Sequence, residues 1–363
     1  MSGSTSYLAL RQKYRDFGAP TVRIHVDGVE ITEKKNARLS EVSVDLTAEY
    51  AASGCGFDIV CEYEPVNTAF STRGAMSFLQ LGAKVELELG YIETVTVFSG
   101  LIVEIEEMFD GESSPYIHIE CMDAKCLLMK RQRLGVFGGK GVGDLIGEII
   151  DTRPFRDYIG GKKIEPAVEK LEMLPAAGED DYRFTERLAR RTGYEFFIAQ
   201  GTVYFRKPPA SSSSIMTIGP GKGLISLKQS LRGVALYKKT LVVGINPADD
   251  QIVRGEAALS GKFGDGSSPS RMVGDSEKAL FDHRVTSAEQ AQGRARALMQ
   301  SAQGEFGRME CRCVGIPELV PGRNVTVEGI SPEADKAYYI LSVRHTIDGR
   351  GFFTNLEARI HSL

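Results

Sequence analysis

Apolar and polar residues alternate along most of the first 120 or so positions, which is the pattern of half-buried β-strands. Residues 21–26 alternate and are followed by Asp27-Gly28, a dipeptide typical of tight turns. Residues 39–46 alternate again. Further runs of this kind lie at 57–63, 84–89, 95–109 and 116–121, separated by clusters of Gly, Asp, Asn and Ser. Strands at this spacing predict an antiparallel barrel or sandwich.

One strand-turn-strand pattern occurs twice, 240 residues apart. Residues 79–105 align without a gap with residues 319–345, and seven of the 27 aligned positions are identical. The identical residues, each matched by the residue 240 positions further on, are Leu79, Gly82, Val85, Glu88, Glu93, Leu101 and Val103. Most of them fall on the alternating positions that a strand requires. We therefore expect two similar antiparallel β-barrels related by internal duplication, which is more typical of an assembly part than of an enzyme.

The pattern changes at about residue 122, where helical spacing replaces alternation. Residues 142–151 and 180–192 are each predicted to form a helix, the second ending at Gly193. A hairpin follows at 194–206, with Gln200-Gly201 as its turn. The serine-rich residues 207–214 are typical of a linker. The prediction is a small α/β domain, residues 122–214, inserted into a mainly β (α+β) protein.

Alternation resumes after residue 215, so 1–121 and 215–363 are predicted as the first and second barrels. A polar, Gly- and Ser-rich stretch at about 246–285 predicts an exposed loop that contacts a partner subunit. Residues 286–290 form a capping box that opens a helix at about 287–303. At the N-terminus, residues 7–17 have helical spacing and predict an arm that packs on a neighbour.

The composition is that of an ordinary, mildly acidic globular protein. Of 363 residues, 42% are apolar and 25% are charged, and the net charge is −4. There is no basic footprint for nucleic acid, so specific nucleic-acid binding is not expected. No run approaches 18 apolar residues and the first residues lack a secretory signal, so neither membrane insertion nor signal-directed export is expected. The six cysteines, none at CxxC spacing, agree with a reducing compartment.

Neither of two candidate binding motifs has the spacing that its chemistry needs. A Walker A loop ends in Gly-Lys-Ser/Thr because the hydroxyl holds magnesium, whereas here Lys140 is followed by Gly141. The glycine-rich residues 135–141 are more simply a flexible turn into a helix, so no cofactor is predicted. Cys311 and Cys313 fall on one face of a strand, but no histidine accompanies them at metal-site spacing, which favours packing over a metal site.

The candidate catalytic residues are histidines and two acidic clusters. The five histidines, which lie near no nucleophile elbow, are His25, His118, His283, His345 and His361. A glycosidase needs two carboxylates facing a cleft. The first acidic cluster is predicted along a strand and comprises Glu104, Glu106, Glu107, Asp110 and Glu112. The second is what the N-terminus of a helix attracts and comprises Glu179, Asp180 and Asp181. No catalytic, cofactor-binding or metal residue is therefore predicted.

Residues 179–205 resemble a segment of phage late-control protein D and of the type VI secretion spike proteins with valine-glycine repeats. The shared pattern is D-x-x-F-x-x-R-L-A-x-x-x-G-x-x-F, and its positions are occupied here by Asp181, Phe184, Arg187, Leu188, Ala189, Gly193 and Phe196. Residues 98–105 and 315–348 fit the same families in the same order. The resemblance covers most of residues 20–360.

This resemblance implies a structural baseplate hub of a contractile injection system, which means a phage tail, a tailocin or a related particle. Family members carry two similar barrels per chain with an inserted domain. Three chains form a homotrimeric, pseudo-six-fold ring that joins a hexameric tail tube protein to a trimeric spike and contacts other baseplate proteins. The resemblance further implies assembly in the bacterial cytoplasm and no catalysis.

The spike proteins continue into further domains, whereas this sequence stops at Leu363, so the spike is expected to be a separate protein. Glu104 and Glu106 are candidates for charges that face the central channel. Two other functions stay open. One is a cell-wall-degrading enzyme with its site in residues 122–214, and the other is an adaptor that carries an effector on residues 246–285.

Overall fold

The computed structural model describes residues 5–33, 37–61, 63–64, 69–70, 77–109, 114–137, 139–166, 174–209, 211–260 and 270–360. Antiparallel strands dominate, so the prediction of a mainly β protein is confirmed. The strands are β1 Thr21–Val26, β2 Val29–Glu30, β3 Leu39–Thr47, β4 Gly54–Val60, β5 Tyr63–Glu64, β6 Ala69–Phe70, β7 Lys84–Gly90, β8 Thr94–Met108, β9 Tyr116–Met122, β10 Gln132–Phe137, β11 Gly161–Ile164, β12 Leu174–Asp180, β13 Glu195–Ala199, β14 Thr202–Arg206, β15 Ser214–Ile218, β16 Leu224–Leu231, β17 Lys239–Asn246, β18 Gln251–Ala258, β19 Glu277–Phe281, β20 Gly307–Val314, β21 Asn324–Val327, β22 Ala337–Asp348 and β23 Gly351–Ile360. The α-helices are α1 Tyr7–Lys13, α2 Lys125–Leu128, α3 Val142–Ile150, α4 Asp181–Thr192, α5 Ser270–Val273 and α6 Ala288–Phe306.

The largest sheet contains the same series of strands twice. Its 13 strands follow the order β16-β20-β23-β22-β3-β4-β9-β8-β7-β1-β2, with β21 beside β22 and β15 beside β21. The first copy is β3-β4-β9-β8-β7, and the second copy is β16-β20-β23-β22-β21. Both copies interrupt the ladder at matching places, since β8 has a bulge between Ile102 and Glu104 and β22 has one between Ile340 and Ser342.

The two copies differ in the length of one connection. Val85 pairs with Gly100, and Val325, 240 residues after Val85, pairs with Tyr338, which is 238 residues after Gly100. The ungapped sequence alignment is therefore correct for the first strand of the repeat and two residues out of register for the second. A shift of two keeps every side chain on its face, so the alternation of the sequence cannot reveal it.

The two copies join edge to edge through β22 and β3. Val343 lies opposite Leu46 and both are buried, while Arg344 lies opposite Asp45. The guanidinium of Arg344 donates two hydrogen bonds to the Asp45 carboxylate, at 2.5 Å and 3.0 Å. One hydrophobic core then runs through strands of both copies.

Residues 122–214, called here the inserted module, have a second core around α3 and α4. The predicted helix at 180–192 is confirmed. Asp180 accepts a hydrogen bond of 2.7 Å from the backbone N–H of Arg183, and Gly193 ends α4 with a left-handed φ of 72°. The predicted hairpin is also confirmed, because β13 and β14 are joined by Gln200 and Gly201, both at positive φ.

Residues 246–285 contain strands where the sequence indicates an exposed loop. β17 pairs with β18 on one side and β19 on the other, and α6 packs on this three-stranded sheet. A Cβ at Gly255 would lie 2.2 Å from the backbone of Ala291, so the close approach of helix and strand needs glycine here. Residues 261–269 of the predicted loop lie outside the described part of the chain.

The N-terminal helix packs on its own chain, whereas the sequence predicts an arm on a neighbour. Tyr14 is buried in the main core, and its hydroxyl donates a hydrogen bond of 2.6 Å to the carboxylate of Glu318. The ammonium of Lys13 lies 3.1 Å from the same carboxylate oxygen. Helix α1 therefore connects the start of the chain to the loop that precedes β21.

Candidate assembly surface

The inserted module binds the same turn in both copies of the repeat. The hydroxyl of Tyr158 donates a hydrogen bond of 2.6 Å to the carbonyl oxygen of Gly82. The guanidinium of Arg206 donates one of 2.6 Å to the carbonyl oxygen of Gly322, the equivalent glycine. Both glycines have left-handed backbones, with φ of 85° and 78°. The module therefore lies across the two copies and fixes their relative position.

A buried carboxylate lies where the module meets the second copy. Glu195 of β13 accepts a hydrogen bond of 2.6 Å from the Tyr339 hydroxyl. The guanidinium groups of Arg206 and Arg359 each approach it to 3.7 Å. Burial raises the pKa of Glu195, and the hydrogen bond from Tyr339 and the two arginines oppose that rise. These partners explain why Glu195 is buried here: its carboxylate is part of the packing between the module and the sheet.

A groove of about 630 Å³ runs between the module, α6 and both copies of the repeat. An enzyme site in the module would need two carboxylates facing such a groove. The module contributes two of the acids that line this groove: Glu186 forms an ion pair of 2.7 Å with Arg190, and Glu195 is held by Tyr339. This geometry favours a structural role for both acids.

Two of the candidate binding motifs have structural roles. Cys311 and Cys313 are buried in β20 with their sulfur atoms 3.9 Å apart. Within the described residues there is no group of three or more His, Cys, Asp or Glu side chains placed to hold a metal ion. Residues 135–137 of the glycine-rich segment belong to β10, which pairs with β12, and Lys140 forms an ion pair of 2.5 Å with Glu148.

The candidate histidines are not brought together. His118 lies 2.6 Å from Asp58 and 3.3 Å from Glu120; burial opposes protonation, but these carboxylates raise its pKa. His345 is buried against the hydroxyl of Thr354 at 3.0 Å. His25 is half-buried in β1, His283 is exposed, and His361 lies outside the described residues.

The two acidic clusters have different surroundings. At the start of α4, Asp180 caps the helix, Asp181 is buried 3.7 Å from Arg131, and Glu179 forms an ion pair with Arg187. The other cluster is exposed at the end of β8, where it comprises Glu104, Glu106 and Glu107. Asp110 and Glu112 lie outside the described residues.

Within the two repeated series of strands, two edges have no described partner strand. Beyond Ile102, whose backbone still bonds to Gly82 and Ala83, β8 pairs with β9 on one edge, and no described strand pairs with its other edge. β16 pairs with β20 on one edge and has no described partner on the other. An unpaired edge exposes N–H and C=O groups that another strand can bind. These edges are not visible in the sequence, because a strand carries the same alternation whether one or both of its edges are paired.

Solved structures with this fold include two tail proteins. The 43 kDa tail protein of prophage MuSo2 from Shewanella oneidensis superposes with a TM-score of 0.70 at 15% identity, over 94% of this chain and 99% of that one. A tail protein from Neisseria meningitidis MC58 gives 0.69 at 14% identity, over 94% and 96%. The E. coli c3393 protein gives 0.57 at 12% identity, over 93% and 77%. It is described as a component of the type VI secretion system with structural similarity to T4 bacteriophage tail proteins gp27 and gp5. The fold expected from the resemblance is confirmed.

At the level of sequence, residues 18–349 match the family model described as the Alg8 N-terminal domain. The chain belongs to this family. The matched residues include the first copy of the repeat, the inserted module and the second copy except β23, so the family describes nearly the whole chain. No curated protein matches the sequence significantly. In the described residues, every helix is too short or too polar to cross a bilayer.

Proposed function

We propose that this protein is a structural hub of a contractile injection system, in a phage tail, a tailocin or a related particle, with no catalysis of its own. Three chains of this protein form a pseudo-six-fold ring. The ring joins a hexameric tail tube protein to a separate trimeric spike and contacts other baseplate proteins. It assembles in the bacterial cytoplasm and becomes part of the particle.

The observation that carries this proposal is the duplicated strand order within a fold shared with tail proteins. Two copies per chain supply six similar units in a trimer, which is what a part between a six-fold tube and a three-fold spike requires. We assign residues 1–121 and 215–363 to the two barrels and 122–214 to the inserted domain. Binding of the module to Gly82 and Gly322 supports a rigid unit. Glu104 and Glu106, exposed on β8, remain our candidates for the channel surface.

The mass of the purified protein in solution tests this proposal. Light scattering is measured on the protein alone, with the co-encoded spike and with the co-encoded tube protein. We expect a trimer, or a monomer that becomes a complex of three chains with three spike chains. A protein that stays monomeric with both partners would contradict the hub function, and the groove would then be assayed on peptidoglycan.

A second function, carrying another protein, is favoured by one surface. On the face of the β17–β19 sheet opposite α6, Ile252 and Phe281 are each 61% exposed, beside the ion pairs that Lys239 forms with Glu256 and Glu277. Replacing Ile252 and Phe281 with serine is expected to abolish binding of a co-encoded effector without changing the mass of the ring. Unchanged effector binding by this variant would remove the adaptor function from this face.

A further inference from the structure

We propose that the open edge of β16 in one copy of the chain pairs antiparallel with the open half of β8 in the next copy, in a register fixed by Glu106 opposite Ser230. This inference rests on the proposed ring and names the contact that closes it. The template is the β22–β3 junction, by which the two copies of the repeat already join within one chain.

The two open edges are the counterparts of the two strands in that junction. β8 corresponds to β22, and β16 corresponds to β3, in the strand order of the two copies. Within the chain, β22 of the second copy binds β3 of the first. The remaining pair, β8 of the first copy and β16 of the second, belongs to opposite ends of this arrangement. Each can repeat the junction only with another chain.

The bulges fix which residues correspond. Glu104 and Ser342 directly follow the bulges of β8 and β22, so Glu106 and Arg344, each two residues further on, are equivalent. Leu39 and Leu224 directly precede register shifts in β3 and β16, so Asp45 and Ser230, each six residues further on, are equivalent. Because Arg344 lies opposite Asp45, Glu106 of one chain is placed opposite Ser230 of the next.

The same register places opposite charges together. Ser342 lies opposite Thr47, and the equivalent residues are Glu104 and Arg232. Both are exposed in the single chain. Glu106, which lies opposite Ser230 of the next chain, is diagonal to the residues two positions on either side of Ser230, Lys228 and Arg232. Cross-strand pairs of opposite charge stabilise a sheet, and like charges destabilise it.

The same register also covers apolar residues that the single chain exposes. Val343 lies opposite Leu46, and both are at most 5% exposed. Their equivalents are Ile105, half-buried, and Leu231, which is 50% exposed. At the end of the strand, Phe109, 69% exposed, is placed opposite Leu227. Complementary charge and complementary apolar residues in one register identify a second copy of this chain as the partner.

An engineered disulfide tests the register directly. The hydrogen bond from Ala48 N–H to Leu341 C=O flanks the pair of Ser342 and Thr47, so this pair and that of Arg344 and Asp45 are of the non-hydrogen-bonded kind. Cα atoms in such pairs are about 4.5 Å apart, which a disulfide spans. The variant is Glu106→Cys with Ser230→Cys, and the control is Glu106→Cys with Lys228→Cys, two residues out of register. The six native cysteines are all buried, which shields them from the oxidant.

We expect mild oxidation to convert the first variant into covalent trimers on a non-reducing gel and to leave the control mostly uncross-linked. Suppose that the wild type forms a trimer. If the first variant then does not cross-link, or the control cross-links equally well, the proposed junction is overturned and the hub function stands. A wild-type chain that stays monomeric, alone and with spike and tube proteins, and whose variants do not cross-link, would overturn both.

A charge exchange provides the second test and needs no oxidation. Arg232→Glu places two acids opposite each other and is expected to weaken association roughly tenfold at each junction. Adding Glu104→Lys restores the opposite charges and is expected to recover most of the loss. Equal association of the wild type and Arg232→Glu, or no recovery in the double variant, would contradict the register.

Discussion

Gly82 and Gly322 have the same left-handed backbone in equivalent turns, but only Gly322 lies against an aromatic ring. A Cβ at Gly322 would lie 2.5 Å from the ring of Phe197, whereas one at Gly82 would meet nothing closer than the Tyr158 hydroxyl at 3.9 Å. Gly82→Ala should therefore cost only the backbone strain, about 1–2 kcal/mol. Gly322→Ala should cost a further 1–3 kcal/mol or so from overpacking. Urea unfolding of the two variants measures the difference, and equal costs would show that the ring of Phe197 moves aside freely.

The hydrogen bonds from the module to these turns predict unequal losses of stability. Arg206→Ala removes a bond from a charged donor to the Gly322 carbonyl and a guanidinium packed over the rings of Phe197 and Tyr204. We expect a loss of about 3 kcal/mol in the free energy of unfolding. Tyr158→Phe removes a neutral donor and should cost about 1 kcal/mol.

Arg183→Ala is the matched control for Arg206→Ala, since the side chain of Arg183 is largely exposed on α4. It should change the free energy of unfolding by less than about 0.5 kcal/mol. A control as destabilised as Arg206→Ala would mean that the bond to Gly322 contributes little.

A buried ion pair at the start of the module predicts a large coupling energy. Lys125 and Asp123 are both buried, with the ammonium 3.7 Å from the carboxylate. Lys125→Met leaves the Asp123 carboxylate without its cation and should destabilise the protein by about 3–5 kcal/mol. Adding Asp123→Asn removes the stranded charge and should recover most of this loss. A double-mutant cycle by urea unfolding measures the coupling, and additive losses would show that the pair does not act together.

His345 predicts a specific loss of stability in acid. Burial lowers its pKa to about 4, and the backbone hydrogen bond at Leu319 opposes this only in part. The unfolded chain, with an ordinary histidine pKa of about 6.5, binds a proton that the folded chain excludes between those values. The stability that the neutral histidine contributes is therefore present above pH 6.5 and lost as the pH falls towards 4, by about 3 kcal/mol.

Unfolding is measured at several pH values for the wild type and for His345→Asn, which keeps a polar partner for Thr354. The variant should lack this part of the acid-induced loss, while the carboxylates contribute equally to both proteins. Parallel pH profiles would assign the acid sensitivity to other groups.

The features that the sequence predicted well are fixed by neighbouring residues. The capping aspartate and Gly193 define α4, and Gln200-Gly201 defines the hairpin after it, because each acts within one turn of the backbone. The helix α6 was found in the same way, since Ser287 accepts a hydrogen bond from the backbone N–H of Gln290. Local chemistry of this kind is visible without the rest of the fold.

The features that the sequence did not reveal depend on distant partners. β18 and β19 hold together only through β17, and the stretch 246–285 that contains them is polar and rich in Gly and Ser, so its sequence indicated a loop. The shift of two residues between the copies keeps the alternation unchanged, and only the pairing of Val325 with Tyr338 reveals it. The candidate surface was missed for the same reason: Leu231 and Leu46 have the same place in the repeat, and only the folded chain shows which of them is covered.

The β22–β3 junction also has a consequence for how the chain folds during its synthesis on the ribosome. Thr47 and Leu341 are in contact but are separated by 294 positions, so β3 emerges long before its partner exists. Contacts this distant in sequence form slowly, and an unpaired edge can bind other strands in the meantime. A chain interrupted before residue 337 would keep the edge of β3 exposed permanently. The edge of β3 is equivalent to the open edge of β16. We therefore expect such fragments to bind the β8 edges of complete chains and to halt assembly of the particle. Full-length synthesis is then a condition for closing the ring.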